Sequence, residues 1–325
     1  MSASAFGGPL FIVGLPRSGT KLLRDLLNQN PRFSIPEAET QFIPYFVRKY
    51  GTPPPFDQRH IFDSFWGELK RSTFFHYMQE RGFTFSGHAL SQAADLRDWG
   101  SIFEYLLRSF GPRPEARDAI FGDKTPRYLE AMGLLKEIFP AARFLHIIRD
   151  PRDSSLSAWR AWGLHPYGVA QRWLESLESQ RKVGTRLGDY MELRYEDLIT
   201  NTEATLRNVC RFLECSFVPQ MLRLSKSNEN TGAARAKTEI ISDNMNKYWD
   251  GLSTRQIRRI EEIAFDQMID LGYDIHLANR SRQLSDAAQF VVEKRNSMAF
   301  LLWKVESRGL KETMQYVMTR GARRP

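Results

Sequence analysis

A glycine-bounded loop near the start of the chain carries residue types that bind phosphate groups. Residues 14–21 read G-L-P-R-S-G-T-K and lie between a short apolar run and a leucine-rich segment. Backbone N–H groups at a helix start, together with the cations of Arg17 and Lys21, would attract an anion. The loop therefore predicts a site for a phosphorylated ligand. A glycine turn that only joins a strand to a helix remains the alternative.

The loop differs from that of a nucleoside triphosphatase at the metal position. A Walker A loop reads G-x-x-x-x-G-K-[ST], whereas here Thr20 precedes Lys21, and Leu22 stands where a magnesium-binding hydroxyl would be. A later apolar run ends in Arg149 rather than directly in an Asp. Magnesium prefers hard oxygen ligands, which leucine does not offer. We therefore predict a metal-free site, with a P-loop small-molecule kinase, which would require Mg²⁺, as the alternative.

The elements that must position this loop alternate between strands and helices. Leu10–Val13 is short and wholly apolar, as in a buried parallel strand, and Lys21–Asn28 has its leucines on one face. The same rhythm resumes later, with strands predicted at Ala119–Phe121, Arg143–Ile148 and Met191–Tyr195, and helices at Arg127–Ile138, Asp153–Trp162, Thr202–Leu213 and Ser253–Leu271. The pattern predicts an α/β fold, a P-loop-type doubly wound parallel sheet flanked by helices, with ligands at the carboxyl ends of the strands.

Two regions depart from this alternation. An insert at about residues 50–118 begins with three prolines, which exclude a helix there, and continues as short helices rich in aromatic residues. A tail from Arg280 to Pro325 has apolar residues at roughly helical spacing, with Lys and Arg between them. We predict a helical, aromatic-rich insert and a C-terminal helical extension.

Composition and charge limit the classes of partner. The 325 residues carry a net charge of +8, and the tail from Arg280 holds ten Lys and Arg against four Asp and Glu, so that the body is near neutral. A nucleic-acid interface spread over the body is therefore not expected. The two cysteines, Cys210 and Cys215, form no metal-binding pattern and favour a reducing, cytoplasmic location. Neither a signal peptide nor a membrane-spanning run is predicted.

Four motifs in order resemble those of the sulfotransferase family that uses 3′-phosphoadenosine-5′-phosphosulfate (PAPS). The family's phosphosulfate loop, P-[RK]-[SAG]-G-T-x-L, matches Pro16–Leu22, and its strand-end Arg with a Ser eight positions later matches Arg149 and Ser157. R-Y-E-D-L stands at Arg194–Leu198, and a D-K-x-P motif at Asp123–Pro126. The resemblance covers about residues 10–275 and is closest to the branch that contains the tyrosylprotein sulfotransferases.

The resemblance implies a set of residues that bind PAPS. Arg17, Ser18, Gly19, Thr20 and Lys21 would hold the 5′-phosphosulfate, although many relatives have a second Thr in place of Lys21. Arg149 and Ser157 would bind the 3′-phosphate, unless Arg149 instead pairs with Asp153 at the surface and Ser157 is an ordinary helix residue. Tyr195 would contact the nucleotide, or serve as a core tyrosine at a strand end. The closing loop aligns poorly, and its candidates, with Lys247 ranked first, are Arg235, Lys237, Thr238, Ser242 and Lys247.

The resemblance also implies the catalytic residues. Glu39 matches the family's general base, which takes the proton of the acceptor hydroxyl, and Glu37 is the competing candidate. Lys124 matches the cation near the leaving group, and Arg17 would neutralise charge on the transferred group. Transfer would be in line, helped mainly by positioning and cations. A solvated loop carboxylate for Glu39 and a surface lysine for Lys124 are the alternative interpretations, and a non-catalytic nucleotide-binding protein is the alternative for the whole chain.

The acceptor is not identified by the sequence. We expect a sulfotransferase domain at residues 1–278, with the insert as the acceptor-binding region, and a basic helical extension at 279–325. The acceptor would be a hydroxyl-bearing small molecule, glycan or peptide. The insert's aromatic residues could equally be core, and its histidines, His60, His76 and His88, are not placed near the phosphosulfate by any motif. The extension would pack on the body or on a second subunit, with an anionic membrane surface as the other possibility.

Overall fold

Five parallel strands form the centre of the protein. The structure is a computed structural model that describes residues 6–225 and 238–320, except for the side chains at 308 and 310–320. The strands are β1 (Leu10–Val13), β2 (Phe33–Ser34), β3 (Ile120–Lys124), β4 (Arg143–Ile148) and β5 (Tyr190–Arg194). They lie in the order β2-β3-β1-β4-β5, and every neighbouring pair is parallel. The predicted α/β parallel sheet is confirmed.

Helices surround this sheet. In the described ranges the α-helices are α1 (Thr20–Leu27), α2 (Ile43–Tyr50), α3 (Arg59–Lys70), α4 (Thr73–Gln79), α5 (Gly87–Ala93), α6 (Trp99–Ser109), α7 (Met132–Ile138), α8 (Pro151–Trp162), α9 (Pro166–Leu187), α10 (Tyr195–Thr200), α11 (Thr202–Phe212), α12 (Tyr248–Gly251), α13 (Thr254–Asp270) and α14 (Asp286–Arg320). Short 3-10 helices occupy Pro126–Ala131 and Pro219–Leu222. None of the helices in these ranges combines the length and apolar character that crossing a membrane would require.

The central strand β1 explains how both faces of the sheet are covered. Its side chains alternate between the two faces, as the pleat of a strand dictates. Phe11 and Val13 pack into one buried cluster with the insert, whereas Leu10 and Ile12 pack into another with α1 and α11. Because β1 is buried on both faces, its carboxyl end and the loop that follows are held rigidly at the edge of the sheet where ligands bind in such folds.

Most aromatic residues of the insert belong to the hydrophobic core. Phe65, Phe75 and Trp99 are almost fully buried, and Trp99 donates a hydrogen bond from its indole nitrogen to the carbonyl of Gly51 at 2.7 Å. These rings pack edge-to-face and stacked within the cluster that covers Phe11. The helices between them are short and start at capping side chains such as Asp98, which accepts from two backbone N–H groups of α6. Core packing therefore accounts for most of the insert's aromatic content.

Several predicted boundaries agree with the structure, and others differ for local reasons. The strands predicted at Leu10–Val13 and Arg143–Ile148 are confirmed as β1 and β4. The helix predicted at Arg127–Ile138 begins as a 3-10 helix after Thr125 and becomes α-helical only at Met132. Tyr195 is not the end of a strand, since it opens α10. The long helix α9 and the two-residue strand β2 were not predicted.

The tail forms a helix that packs on the body. Its direction changes at Gly309, which has a positive φ of 82°. On the inner face, Asn296 accepts a hydrogen bond at 2.6 Å from the backbone N–H of His165, where the chain enters α9. Phe290 and Leu302 on the same helix remain exposed, at 61% and 57%. Packing on the body is thus observed, while contact with a second subunit or with a membrane stays a prediction.

Candidate active site

The loop between β1 and α1 forms a concave backbone site. Positive φ angles occur at Gly14 (152°), Arg17 (77°) and Gly19 (93°). At Gly19 a Cβ atom would lie 2.3 Å from the ring of Tyr195, so that only glycine fits there. The helix α1 that follows has no side-chain cap and no acidic residue in its first turn. A helix start that lacks a side-chain cap and acidic residues attracts an anion.

Arg17 links this loop to the helix after β4. Its Nε donates a hydrogen bond to Oγ of Ser157 at 3.1 Å, and its backbone carbonyl accepts from Arg149 at 3.2 Å. The structure therefore brings Arg17 together with Arg149 and Ser157, which lie far from it along the chain. The guanidinium also lies over the ring of Trp162, 6.0 Å from its centroid.

Arg149 is a buried cation without a carboxylate partner among the described residues. It is 8% exposed, and its terminal nitrogens donate only to the backbone carbonyls of Arg17 and Asn244. Its Nε is buried and has no acceptor. The guanidinium stacks over Tyr195, 4.5 Å from the ring centroid, which orients its plane. The guanidinium forms no direct ion pair with Asp153, although the two charges are close enough to affect each other.

The other charged residues of the second motif have structural partners instead. Asp150 caps α8 by accepting from the backbone N–H of Arg152, and the two side chains form a buried ion pair at 2.7 Å. Arg152 also pairs with the fully buried Glu261 at 2.6 Å. Asp153 accepts from the backbone N–H groups of Asn246 and Tyr248 at 2.7 and 3.0 Å. Burial raises the pKa of Asp153, although the nearby Arg149 charge opposes that rise.

These contacts position the segment that follows the undescribed residues. Asp153 fixes the backbone on both sides of Lys247, and Asn244 donates from its side chain to the hydroxyl of Tyr195 at 2.7 Å. Lys247 is half-buried at the start of α12, three residues after Asn244. Thr238 and Ser242 are exposed. The two remaining candidates for the closing loop, Arg235 and Lys237, lie outside the described residues.

Lys124 and Glu39 form an ion pair at the carboxyl end of β3. Nζ of Lys124 donates to Oε1 of Glu39 at 2.5 Å, and the two side chains are 6% and 31% exposed. Gln41 donates to the other carboxylate oxygen at 2.8 Å. The carboxylate is therefore held by two donors yet still reaches solvent. Gln41 has a positive φ of 54°, which turns the chain back towards Glu39.

A cluster of buried polar residues holds the backbone segments that carry this ion pair. Asp123 is fully buried and accepts hydrogen bonds from the hydroxyls of Thr40 and Thr125. Tyr128 shares a hydrogen bond with Thr40 at 2.6 Å and accepts from the backbone N–H of Ile43. Burial raises the pKa of Asp123 to about 6, against the opposing effect of its threonine donors. Because Thr40 adjoins Glu39 and Asp123 adjoins Lys124, the cluster fixes both backbones that carry the ion pair.

Glu37 points to a different part of the molecule. Its carboxylate accepts from the hydroxyl of Tyr77 and from Nε of Arg81, both at 3.3 Å, on α4 and just after it. Arg81 in turn stacks on the Tyr77 ring, 3.4 Å from its centroid. Of the two competing carboxylates, only Glu39 contacts Lys124. The insert's histidines, His60, His76 and His88, are exposed on α3, α4 and α5.

The remaining loop residues surround the start of α1. Ser18 and Thr20 are buried, whereas Lys21 is half-buried and its charge acts on Asp25 one turn later. Leu22 is half-buried against the cluster that contains Leu23. Within residues 6–225 and 238–320, no group of three His, Cys, Asp or Glu side chains could hold a metal ion.

Two site residues were missed by reasoning from the sequence. Asn244 contacts both Arg149, through its carbonyl, and Tyr195, through its amide. Trp173, on the unpredicted helix α9, donates from its indole nitrogen to the carbonyl of Arg149 at 2.9 Å. Neither residue stands in a motif. The only signal that could have found Trp173 is the periodicity of the helix that carries it.

The fold and the site define a P-loop-type α/β protein in which a loop arginine and a strand-end arginine lie together at one edge of the sheet. A family model described as "Sulfotransferase family" matches residues 9–219, and the chain belongs to that family. It is 23% identical to protein-tyrosine sulfotransferase 1 of Danio rerio over 82% of the chain and 72% of the relative. It is 24% identical to protein-tyrosine sulfotransferase of Drosophila melanogaster over 82% of the chain, but only 51% of that relative.

Solved structures show the same fold. The sulfotransferase domain from the olefin synthase of Synechococcus PCC 7002 superposes with a TM-score of 0.53, at 23% identity, over 85% of this chain and 98% of that domain. The sulfotransferase domain from the curacin biosynthetic pathway gives a TM-score of 0.51, at 20% identity, over 84% and 100%. Family membership favours sulfuryl transfer over the kinase alternative.

Proposed function

We propose that the protein transfers a sulfuryl group from PAPS to an acceptor hydroxyl. The observation that carries this proposal is the convergence of Arg17 and Arg149. Arg149 donates to the backbone carbonyl of Arg17, Arg17 donates to Ser157, and neither arginine forms an ion pair with a carboxylate among the described residues. A buried guanidinium whose Nε has no acceptor is costly unless an anionic ligand occupies the site beside it. The buried Nε of Arg149 without an acceptor fits a phosphate oxygen.

The residues that would hold PAPS follow from these contacts. The N–H groups of Gly19, Thr20 and Lys21 with Arg17 would bind the phosphosulfate, and Arg149 with Ser157 the 3′-phosphate. Tyr195 stacks on Arg149 and would border the nucleotide. Lys247 would approach from the segment that Asp153 fixes. When bound, PAPS supplies the sulfuryl group.

Glu39 is proposed as the general base, with Lys124 and Arg17 as the cations. A carboxylate oxygen of Glu39 accepts the proton of the acceptor hydroxyl. Lys124, which donates to Glu39, must then also interact with the negative charge that develops during transfer. The ion pair at 2.5 Å between the two side chains supports this assignment. The supporting cluster around Asp123 keeps both in place, so little reorganisation is needed during transfer.

A phenolic hydroxyl is the first acceptor to test, because the relatives described above are named protein-tyrosine sulfotransferases. Small-molecule and glycan hydroxyls are the next. No metal is proposed. The cytoplasmic localisation expected from cysteine usage stays a prediction.

Calorimetry with PAP and AMP tests the donor part of the proposal. PAP should bind more tightly, since only PAP carries the 3′-phosphate that Arg149 and Ser157 would contact. Incubation with labelled PAPS and a panel of phenols, sugars and peptides, followed by identification of the labelled product, tests the transfer. Equal affinity for PAP and AMP would exclude the nucleotide assignment.

A further inference from the structure

Exposed apolar side chains are concentrated on the tail helix α14. Among the large hydrophobic residues that the described part of the chain exposes, four lie on this helix, and they are between 57% and 64% exposed: Phe290, Val291, Met298 and Leu302. The three others are spread over α8, α12 and α13. Neighbouring exposed apolar groups of this kind mark an interaction surface, whereas single ones are normal for a protein surface.

These side chains lie on the outer side of α14. The inner side packs on α9, where Val292 lies so close that a Cβ at Gly168 would be 2.3 Å from it. Because an α-helix turns by about 100° per residue, Val291, Met298 and Leu302 fall on one stripe about 40° wide, turned away from that contact. We call these three residues the outer stripe. The body of the protein leaves the outer stripe uncovered.

One charge of each sign lies along the same edge of the outer stripe. Arg295 and Glu306 are both exposed. They are three helical turns apart, or about 17 Å along the axis, and so point in nearly the same direction. An anionic membrane surface would attract the arginine and repel the glutamate. A second copy of the same helix can instead satisfy both charges, provided that it runs antiparallel.

The geometry of such a pair follows from the residue spacing. A two-fold axis that crosses between the helices near residue 300 places Met298 of one copy opposite Leu302 of the other, and Arg295 level with Glu306 to within about 2 Å along the helix axis. The axis is perpendicular to both helices, so it keeps the same edge of the outer stripe on the same side in both copies. Arg295 therefore meets Glu306, and each contact occurs twice, as in every isologous interface.

We propose that the outer stripe is the contact surface of a homodimer in which the tail helices of two copies pack antiparallel. Met298 and Leu302 form the centre of this contact, and two ion pairs between Arg295 and Glu306 lie at its edge. Burial of the apolar side chains drives the association, while the charges fix direction and register. One helix from each copy gives an interface at or below about 1,200 Å², the lower end for specific contacts, so we expect micromolar affinity. The dimer does not depend on the proposed function.

Sedimentation velocity of the full chain tests the contact, at protein concentrations on the order of 1–100 µM. The wild-type chain should shift from monomer to dimer over this range. Leu302→Ser removes an apolar group from the centre of the outer stripe and should weaken the dimer about tenfold. Ile269→Ser is the matched control and should leave the dimer unchanged, because Ile269 is an equally exposed apolar residue, at 53%, on α13. The thermal midpoint should stay the same in both variants, since neither side chain is part of the core.

A charge exchange tests the antiparallel register. Arg295→Glu and Glu306→Arg should each weaken the dimer about tenfold, because two attractive contacts become repulsive, and the double variant should recover most of the loss. The inference is overturned if the wild-type chain stays monomeric, if Leu302→Ser dimerises as wild type does, or if the double variant is no better than the single ones. A monomer that sediments with phosphatidylserine vesicles, and no longer does so as Leu302→Ser, would also overturn it and assign the outer stripe to a lipid surface.

Discussion

Arg17 and Ser157 are joined by a hydrogen bond of 3.1 Å although 140 residues separate them in the chain. One residue belongs to the loop after the first strand and the other to the helix after the fourth, and β1 and β4 are neighbours in the sheet. The parallel register therefore brings both strand ends, and both sets of cations, to one edge. The loop after β1 and the helix after β4 are therefore linked by a direct side-chain contact.

Removing the strand-end cation should reduce affinity for PAP selectively. A charge-assisted contact contributes about 1.5–3 kcal/mol, so Arg149→Ala should weaken PAP binding about tenfold or more, while AMP binding changes much less. Arg149→Lys keeps the charge without the planar fork and should fall between the two. The control is Arg172→Ala, which removes an exposed arginine that pairs with Glu130 on the surface. Calorimetry in which PAP and AMP lose affinity equally would contradict the assignment of Arg149 to the 3′-phosphate.

Glu39→Gln should abolish most turnover while leaving donor binding intact. The substitution keeps the shape of the side chain and loses the base, which contributes about 10²–10⁴-fold in rate. Transfer of label from PAPS to an active acceptor measures turnover, and calorimetry measures PAP affinity. Glu37→Gln is the matched control and should be nearly silent, because Glu37 contacts Tyr77 and Arg81 instead of Lys124. Turnover that survives in Glu39→Gln and disappears in Glu37→Gln would show that Glu37 is the base.

Turnover should persist in excess EDTA. Leu22 stands at the position of a magnesium-binding hydroxyl and packs against a hydrophobic cluster, so the loop offers a metal no oxygen there. The measurement is the transfer rate before and after dialysis against the chelator, and again after Mg²⁺ is added back. A rate that vanishes and is restored by Mg²⁺ would return the kinase alternative to consideration.

The stability of the fold should depend on pH through Asp123. Its pKa of about 6 in the folded chain lies above the usual 3.8, so the folded chain holds this proton more tightly than the unfolded chain does. The contribution of this proton to the free energy of unfolding is fully present below pH 3.8 and is lost as the pH rises through 6. Relative to Asp123→Asn, the wild-type free energy of unfolding should therefore fall by about 2 kcal/mol between pH 4.5 and 7.5.

Urea unfolding at several pH values measures this difference. Asp118→Asn is the control, because Asp118 is an exposed carboxylate that pairs with Arg32 at the surface. Its stability difference from wild type should be flat over the same range. A flat difference for Asp123→Asn as well would show that the buried carboxyl titrates normally.

The packing of the tail helix α14 on α9 should depend on the lack of a side chain at Gly168. A side chain at Gly168 would collide with Val292 and Asn296, so Gly168→Leu should displace α14 from α9. We expect faster proteolysis between residues 279 and 320, with PAP affinity unchanged. Gly133→Leu is the control, since nothing lies within 4 Å of a Cβ at that position. An equally resistant tail in both variants would show that the observed packing contributes little to holding α14.

The sequence predicted the parts of the fold that depend on local pattern. β1 and β4 are short apolar runs with unambiguous ends, so residue types alone predicted these strands. The loop could be predicted as well, because its glycines permit the positive φ angles that it needs. α9 was missed because it follows α8 after a short break at Gly163, and its polar residues mask the apolar stripe. β2 has only two residues, and nothing in so short a segment distinguishes a strand from a loop.

The same division applies to the site. The motifs predicted Arg17, Arg149 and Lys124 as site residues, because each stands at a fixed offset from a strand end. The choice between Glu37 and Glu39 could not be made from spacing, since it depends on which way two side chains two residues apart point in a turn. Asn244 was missed for a similar reason: only the folded chain brings it to Tyr195.

The close approach of Tyr195 to Gly19 has a consequence for the order in which the protein is assembled. In a growing chain the loop is synthesised long before Tyr195, the residue whose ring borders it. Until β5 and α10 have docked beside β4, one wall of the loop is missing, and Arg149 has no ring to stack on. A nascent chain that ends before position 195 thus has the loop's sequence without its shape. The chain would become able to bind the donor late and in one step, when the edge strand β5 completes the sheet.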